Sequence, residues 1–209
     1  MNREVYEMKK KDVYPYLKRI IDFLLALIAI IILSPLFLIV SIIIKLESKG
    51  PVIFKQKRIG KDKKYFTIYK FRSMKTDTPK DMPTHLLNKA ESHITPFGKI
   101  IRKTSIDELP QLFNILKGDM SIVGPRPALW NQDDLVAERD KYHANDIKPG
   151  LTGLAQVSGR DELEIPVKAK YDGDYVRKRS FLFDLKILFR TVINVFKHEG
   201  IVEGKKEDN

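Results

Sequence analysis

Residues 20–44, IIDFLLALIAIIILSPLFLIVSIII, form an apolar run of 25 residues that is interrupted only by Asp22, Ser34, Pro35 and Ser41. About 20 such residues suffice for a helix to cross a bilayer. The run starts later than the apolar core of a secretory signal peptide and is longer, and no small-x-small cleavage site follows it. The sequence therefore predicts a membrane-embedded helix in an N-terminal segment, residues 1–45.

The middle and the flanks of this helix argue against a straight crossing. Pro35 predicts a kink, and we expect the Ser34 hydroxyl to bond the carbonyl that the proline frees. Each half would reach only about 14–17 Å, roughly half the hydrocarbon thickness. Both flanks are rich in Lys and Arg, which favour the cytoplasm. We therefore expect a re-entrant helix that bends at Ser34 and Pro35. A kinked single-pass anchor and a buried core helix are the alternatives, and Asp22 should cap the helix or pair with Lys18 or Arg19.

The composition narrows the chemistry of the remaining chain. The 209 residues contain no cysteine, which excludes disulfides, thiolate metal sites and a cysteine nucleophile. The four histidines lack the spacing of a zinc site. The length allows one further domain, residues 46–200, followed by a charged tail at 201–209.

A strongly basic strip follows the apolar run directly. Residues 45–80 hold twelve basic and three acidic side chains, in a chain whose net charge is +11. Anionic lipid head groups or phosphorylated substrates at a membrane surface suit such a strip. Nucleic acid is the competing partner, but the chain has no nucleic-acid-binding motif, so we predict none.

The soluble part predicts a helix-rich α/β fold of the α+β type. Alternation and a central turn indicate a β-hairpin over 51–72, and a short strand is expected at 154–157. A helix should begin near Asp107, with Pro110 in its first turn. Residues 181–197 predict a helix with a single narrow polar stripe, typical of an interfacial amphipathic helix or of a deeply buried one.

Asp107 and Glu108 are the strongest candidates for chemistry. At a helix start, the dipole favours their ionised forms. Neighbouring helical residues point about 100° apart, so one carboxylate could attack a phosphorus atom while the other binds a metal or handles a proton. The plain alternative is an acidic cap that only stabilises the helix.

Three basic positions and one loop could complete a site. Arg126 lies between two prolines, which present its guanidinium rigidly, as bidentate phosphate binding requires. Lys70 and Arg72 lie at the end of the second predicted strand. The Gly-rich loop 149–160 contains Gln156 and Arg160 and is weaker evidence for a nucleotide contact. A solvated turn and an exposed strand edge are the alternatives.

These stretches together resemble the bacterial sugar transferase family, the small monotopic phosphoglycosyl transferases. The resemblance covers about residues 18–200. It is carried by Ser34-Pro35 and by residues 51–60 (PVIFKQKRIG), 69–74 (YKFRSM), 102–112 (RKTSIDELPQL), 118–127 (GDMSIVGPRP) and 149–153 (PGLTG).

The resemblance implies transfer of a sugar 1-phosphate from a UDP-sugar to undecaprenyl phosphate, with release of UMP. The reaction would begin assembly of a capsule, O-antigen or exopolysaccharide at the cytoplasmic face of the bacterial inner membrane. A homodimer is compatible with this prediction. A lipid-binding membrane scaffold and a lipid phosphatase are the alternative functions.

The resemblance also assigns roles to residues. Asp107 would be the nucleophile that forms a covalent phosphosugar intermediate, and Glu108 would assist as a base. Both carboxylates would belong to a Mg²⁺ site. The remaining assignments are phosphate binding by Lys70, Arg72 and Arg126, and nucleotide-sugar contacts by Gln156 and Arg160.

Overall fold

The computed structural model describes residues 13–79, 90–159 and 163–197. Within these ranges the chain forms eight helices: α1 Tyr14–Glu47, α2 Ala90–His93, α3 Pro96–Lys103, α4 Gln111–Lys117, α5 Asp133–Asp140, α6 Leu154–Val157, α7 Ile165–Lys178 and α8 Phe181–Lys197. The same ranges contain four strands: β1 Ile53–Ile59, β2 Tyr65–Phe71, β3 Ser121–Val123 and β4 Gly150–Thr152. The predicted helix-rich α/β class is confirmed.

Helix α1 continues through Pro35 because a side chain replaces the lost backbone donor. Proline has no N–H, so the carbonyl of Ile31, four residues earlier, lacks its helical partner. The Ser34 hydroxyl donates to this carbonyl at 2.8 Å, as the sequence predicted. Asp22 lies 3.5 Å from the Lys18 ammonium, which confirms the expected pairing.

One face of α1 packs against the rest of the chain along most of its length. Ala26 lies in a core cluster with Leu112 and Ile115 of α4, and Val40 lies in a second cluster with Phe71 of β2. The other face exposes a series of large aliphatic side chains: Ile20, Leu24, Ile28, Ile31, Ile32, Leu38, Ile39 and Ile42. By length and composition α1 could cross a membrane.

The predicted hairpin is confirmed. β1 and β2 pair antiparallel from Ile53 opposite Phe71 to Ile59 opposite Tyr65. A 3₁₀ turn at Lys61–Lys63 connects them. The second sheet is a short parallel pair of β3 and β4.

The strand predicted at 154–157 is wrong, because those residues form α6. The neighbouring strand is β4, which pairs with β3 through Ser121 opposite Gly150 and Val123 opposite Thr152. A run of four mostly apolar residues has no period that separates a short buried helix from a short buried strand. The parallel partner β3, distant in sequence, decides where the strand lies.

The helix predicted to begin near Asp107 begins later. Residues Ile106–Glu108 form a separate 3₁₀ turn, and α4 starts at Gln111, after Pro110. Pro110 precedes the helix, so its missing N–H disrupts no helical bond. The two carboxylates therefore lie on a short turn ahead of α4 and not in the first turn of an α-helix.

Helix α8 matches the predicted range and turns its polar stripe partly inward. Arg190 Nη2 donates to the Val157 carbonyl at 2.9 Å, and the Asn194 amide donates to the same oxygen at 3.3 Å. The outward face carries exposed apolar side chains: Leu182, Leu185, Phe189 and Val192. Such an inverted arrangement is typical of a helix that lies against lipid.

Candidate active site

The turn Ile106–Glu108 presents two adjacent buried carboxylates. It is preceded by Ser105 in the left-handed conformation, with φ of 57°. Asp107 is 6% exposed and Glu108 is 8% exposed. Buried carboxylates stay ionised only where cations or donors compensate their lost hydration, so their surroundings define the chemistry of this site.

One oxygen of Glu108 joins two cations from different parts of the fold. Lys70 Nζ lies 2.7 Å from Glu108 Oε1, and Arg126 Nη2 lies 3.1 Å from the same atom. Lys70 comes from β2, whereas Arg126 comes from the turn that follows β3. The structure thus brings together three of the predicted site residues, and Asp107 is adjacent to Glu108 in the chain.

Asn114 fixes β2 beside this ion cluster. Its side chain is fully buried, its Oδ1 accepts from the Tyr69 backbone N–H at 3.0 Å, and its Nδ2 donates to the Thr67 carbonyl at 2.7 Å. These bonds attach α4 to the open edge of β2, next to Lys70. Sequence analysis missed Asn114, although a polar side chain on the apolar face of a predicted helix is a signal for such a bond.

The electrostatics of Lys70 reflect its crowded position. Burial is the largest influence and lowers the pKa of the ammonium group below the usual lysine value. Attraction to Glu108 opposes this effect, and repulsion from Arg126 adds to it. Asp107 also raises the pKa of Lys70, so both carboxylates act on this cation.

Arg58 of β1 is a further cation at the site that sequence analysis counted only within the basic strip. Its Nη1 donates to the Pro127 carbonyl at 3.0 Å, next to Arg126 in the chain. Its pKa is lowered by burial first, then by repulsion from Arg126, and attraction to Glu108 opposes both. Alternation along β1 could have placed Arg58 on the same sheet face as Gln56, but not beside Arg126.

The predicted phosphate-binding role of Arg72 needs a correction, because its guanidinium bonds to the backbone at the end of α1. Its Nη1 donates to the Lys49 carbonyl at 2.8 Å, and its Nη2 donates to the Ser48 carbonyl at 2.7 Å. The guanidinium therefore caps the end of α1 and does not join the cluster around Glu108. The Arg72 N–H donates to the Val52 carbonyl at 2.8 Å, which places the residue beside the end of α1.

The described side chain of Gln156 bonds to the backbone of the Gly-rich loop itself. The Gln156 amide donates to the Leu151 carbonyl at 3.1 Å, and its Oε1 is buried without a hydrogen-bond partner in the described structure. Arg160 lies outside the described residues.

The two carboxylates suit a magnesium ion that is shared with a substrate. Among the described residues, no group of three or more His, Asp or Glu side chains could hold a metal alone. Mg²⁺ commonly binds one or two protein carboxylates and completes its shell with substrate phosphates and water. Asp107 and Glu108 are the two buried carboxylates at this site that could be such ligands, and Glu108 also pairs with Lys70 and Arg126.

Comparison with known proteins places these features in context. The family model described as "Bacterial sugar transferase" matches residues 13–198. A protein of Aeromonas hydrophila, "UDP-N-acetylgalactosamine-undecaprenyl-phosphate N-acetylgalactosaminephosphotransferase", is 40% identical over 90% of this chain and 45% of its own length. The "Uncharacterized sugar transferase EpsL" of Bacillus subtilis is 44% identical over 88% of this chain and 90% of its own.

A third relative has a similar length. The "Exopolysaccharide production protein PSS" of Rhizobium leguminosarum is 42% identical over 85% of this chain and 94% of its own length. The chain therefore spans less than half of the Aeromonas relative and nearly all of the other two.

Proposed function

This chain belongs to the bacterial sugar transferase family and is a phosphoglycosyl transferase, and from that premise we propose its reaction. It transfers a sugar 1-phosphate from a UDP-sugar to undecaprenyl phosphate, releases UMP, and initiates synthesis of a polysaccharide. One observation carries this proposal: Lys70 and Arg126 converge on Glu108, beside the buried carboxylate of Asp107.

Asp107 is the nucleophile of the first step. One of its oxygens attacks the β-phosphorus of the UDP-sugar, and the bond from that phosphorus to the bridging oxygen breaks. UMP leaves with the bridging oxygen, and the sugar phosphate is esterified to Asp107. An oxygen of undecaprenyl phosphate then attacks the same phosphorus, which releases Asp107 and forms the lipid diphosphate sugar. A positioned, ionised carboxylate is competent for this covalent chemistry.

The two cations offset the charge of the diphosphate. A leaving UMP gains negative charge on the bridging oxygen, and cations held in place stabilise that charge. In the absence of substrate, Glu108 provides the negative partner for Lys70 and Arg126. Glu108 also holds both cations next to Asp107, which makes it the orienting member of the pair.

Asp107 and Glu108 are the residues that would hold a Mg²⁺ ion at this site. When bound, the ion supplies charge neutralisation and orientation of the phosphates. The residues of the chain still have separate tasks: Lys70 and Arg126 bind phosphate, and Glu108 positions these two cations.

The position of α1 supports a re-entrant path that begins and ends at the cytoplasmic face. Near its start, Tyr14 and Lys18 contact Asp184 of α8 at 2.6 and 2.5 Å. At its end, the Ser48 carbonyl accepts from Arg72. Both ends of α1 are thus bound to one folded domain, which occupies one side of a bilayer. A water-soluble UDP-sugar and a lipid-dissolved acceptor would meet on that side.

A screen of UDP-sugars with undecaprenyl phosphate and Mg²⁺ tests the function. We expect multiple-turnover release of UMP that depends on one UDP-sugar, on the lipid phosphate and on Asp107. Without the acceptor, intact mass should show a phosphosugar adduct on the protein that is absent from Asp107→Asn. An adduct that persists in this variant removes Asp107 from the nucleophile role. Release of many UMP molecules per protein without a lipid acceptor indicates a hydrolase, whereas formation of the adduct alone releases one, and no release with any donor indicates a scaffold.

A further inference from the structure

We propose that Arg58 is a positioning residue that holds the turn at residues 124–127 and thereby directs the Arg126 guanidinium toward the phosphates of the donor. This inference rests on the proposed function for the identity of the diphosphate. Arg58 joins the cluster because its side chain bonds to the backbone next to Arg126. Arg58 is therefore expected to act through Arg126 and not on the substrate directly.

The guanidinium of Arg58 is fixed at both ends of its planar fork. Its Nε and Nη2 donate to Gln56 Oε1 at 2.9 and 2.6 Å, and its Nη1 donates to the Pro127 carbonyl at 3.0 Å. Gln56 is buried, with 8% of its surface exposed. A rigid guanidinium with donors on two edges can connect two acceptors in a way that a lysine ammonium cannot reproduce.

The backbone that follows Arg126 is joined to β1 by main-chain pairing and by the Arg58 side chain. On its C-terminal side, the Ile59 N–H donates to the Ala128 carbonyl at 3.0 Å, and Arg58 pairs with Leu129 as an isolated bridge. The segment after Arg126 thus runs along β1. Arg58 adds a side-chain bond from β1 to the carbonyl of Pro127, the residue that follows Arg126.

The N-terminal side of the turn is held independently by the second sheet. The Gly124 N–H donates to the Thr152 carbonyl at 2.9 Å, and the Gly150 N–H donates to the Pro125 carbonyl at 2.8 Å. These are backbone bonds that do not involve Arg58. Loss of the Arg58 side chain should therefore remove the bond to the Pro127 carbonyl while the backbone bonds on both sides of the turn stay in place. The expected result is a misdirected Arg126 in a folded protein.

The charges of the cluster are consistent with this role. Arg126 repels Arg58, and Glu108 attracts it, so the three groups lie within electrostatic range of one another. Two arginines that repel each other stay together only where hydrogen bonds and a shared anion hold them. Gln56 and Pro127 accept those hydrogen bonds from Arg58. Arg126 pairs with the anion, which is Glu108 in this structure and the donor phosphate during the reaction.

Binding of inorganic pyrophosphate by the full-length protein tests the inference without any UDP-sugar. Affinity is measured by calorimetry with Mg²⁺ for wild type, Arg58→Gln, Arg126→Gln and the double variant. We expect a loss of about tenfold for Arg58→Gln, and less than about twofold further loss when Arg126 is already replaced, because residues that act through one another are not additive. Lys57→Gln, an exposed charge removal next to Arg58 on the same strand, should change affinity less than about twofold.

Two further variants separate positioning from charge and from folding. Arg58→Lys keeps the charge but not the fork and should remain impaired, with a fall in kcat/KM for the donor. Gln56→Leu leaves Arg58 charged but removes its acceptor, and it should weaken pyrophosphate binding even if Arg58→Gln fails to fold. Additive losses in the double variant, full recovery in Arg58→Lys, or unchanged binding in Gln56→Leu would overturn the inference. If no UDP-sugar reacts but the coupling persists, the proposed function fails and the role of Arg58 stands.

Discussion

Lys70 and Glu108 form an ion pair of 2.7 Å that joins β2 to the turn carrying Asp107. Their side chains are 16% and 10% exposed, so water competes weakly for the pair. The β2 backbone beside Lys70 is held by Asn114, which bonds to the Tyr69 N–H and the Thr67 carbonyl. The position of Asp107, the proposed nucleophile, therefore depends on how the hairpin packs against α4, and not on the acidic turn alone.

The alkaline limit of activity should be set by Lys70. Burial lowers the pKa of Lys70, so its ammonium group loses a proton at a lower pH than an exposed lysine does. The neutral amine no longer forms an ion pair with Glu108 or with phosphate. In Lys70→Arg the group stays charged, and the alkaline fall in kcat/KM should move to higher pH even if the maximum rate is lower. A pH series of UMP release measures this. Lys117→Arg, at an exposed lysine whose pKa is raised by Tyr69 and Asp119, should leave the limit unchanged.

Arg72→Met should reduce stability and spare the chemistry. The substitution leaves the Ser48 and Lys49 carbonyls without their charged donor, at a cost of about 2–4 kcal/mol. The folded fraction should keep its KM for the UDP-sugar, because Arg72 lies away from Glu108. Thermal unfolding and kinetics on the same preparation measure both effects, with exposed Lys75→Met as the control. A raised KM with an unchanged melting temperature would restore Arg72 to the phosphate site.

Residue chemistry selected side chains that the fold brings together, but it did not predict the partners of each residue. Lys70, Asp107 and Arg126 could be selected from charge type and backbone rigidity, which are local properties. Arg58 and Arg72 both belong to the basic strip, and only tertiary contacts separate them. Arg58 bonds to Pro127, which is 69 residues away, whereas Arg72 bonds to the end of α1. No local pattern encodes such a choice.

The helices and strands likewise divide into those that a local pattern predicts and those that tertiary contacts decide. The hairpin and α8 were predictable because alternation and a wide apolar face extend over many residues. The start of α4 was misplaced because a proline fits both the first turn of a helix and the position before it. The polar residues of α8 pointed inward because the Val157 carbonyl accepts from Arg190 and Asn194. That acceptor becomes visible only once α6 is placed.

The buried pair of Arg139 and Asp172 should be costly to break on one side only. Arg139 Nη2 lies 2.7 Å from Asp172 Oδ2, and both side chains are almost fully buried. Arg139→Met leaves a buried carboxylate without its cation and should destabilise the fold by about 3–5 kcal/mol. Arg139→Met with Asp172→Leu should recover most of that loss. Urea unfolding of the single and double variants measures the difference.

The pH dependence of Arg139→Met provides a second measurement. Burial raises the pKa of Asp172, and Arg139 opposes that rise. Without Arg139, the folded-state pKa should rise further above the unfolded value. Stability is then lost as pH rises through the folded-state pKa, so the variant should be less impaired at pH 5 than at pH 8. Equal destabilisation at both values would contradict a buried, uncompensated carboxylate.

The outward face of α8 should contribute to membrane binding. Phe189 is 68% exposed and lies on the outward face of α8 with Leu185 and Val192. Phe189→Glu removes apolar area worth about 1.5–3 kcal/mol and adds a charge, so partition into liposomes should fall about tenfold or more. Thr67→Glu adds the same charge at an exposed site of β2 and should not alter partition into liposomes of uncharged lipid. Equal partition of all three proteins would mean that α8 does not touch lipid.

The path of α1 can be decided by labelling, because the chain contains no native cysteine. Val13→Cys and Lys49→Cys place single thiols just before and just after α1, and Thr67→Cys marks the side of the hairpin. If α1 is re-entrant, a membrane-impermeant maleimide should label all three in inside-out vesicles and none in intact spheroplasts. A single-pass helix places position 13 on the side opposite to position 49. Because Lys18 and Arg72 tie the two ends of α1 to one domain, such a crossing would require the Lys18–Asp184 pair to break, and labelling of Val13→Cys alone from outside would demonstrate it.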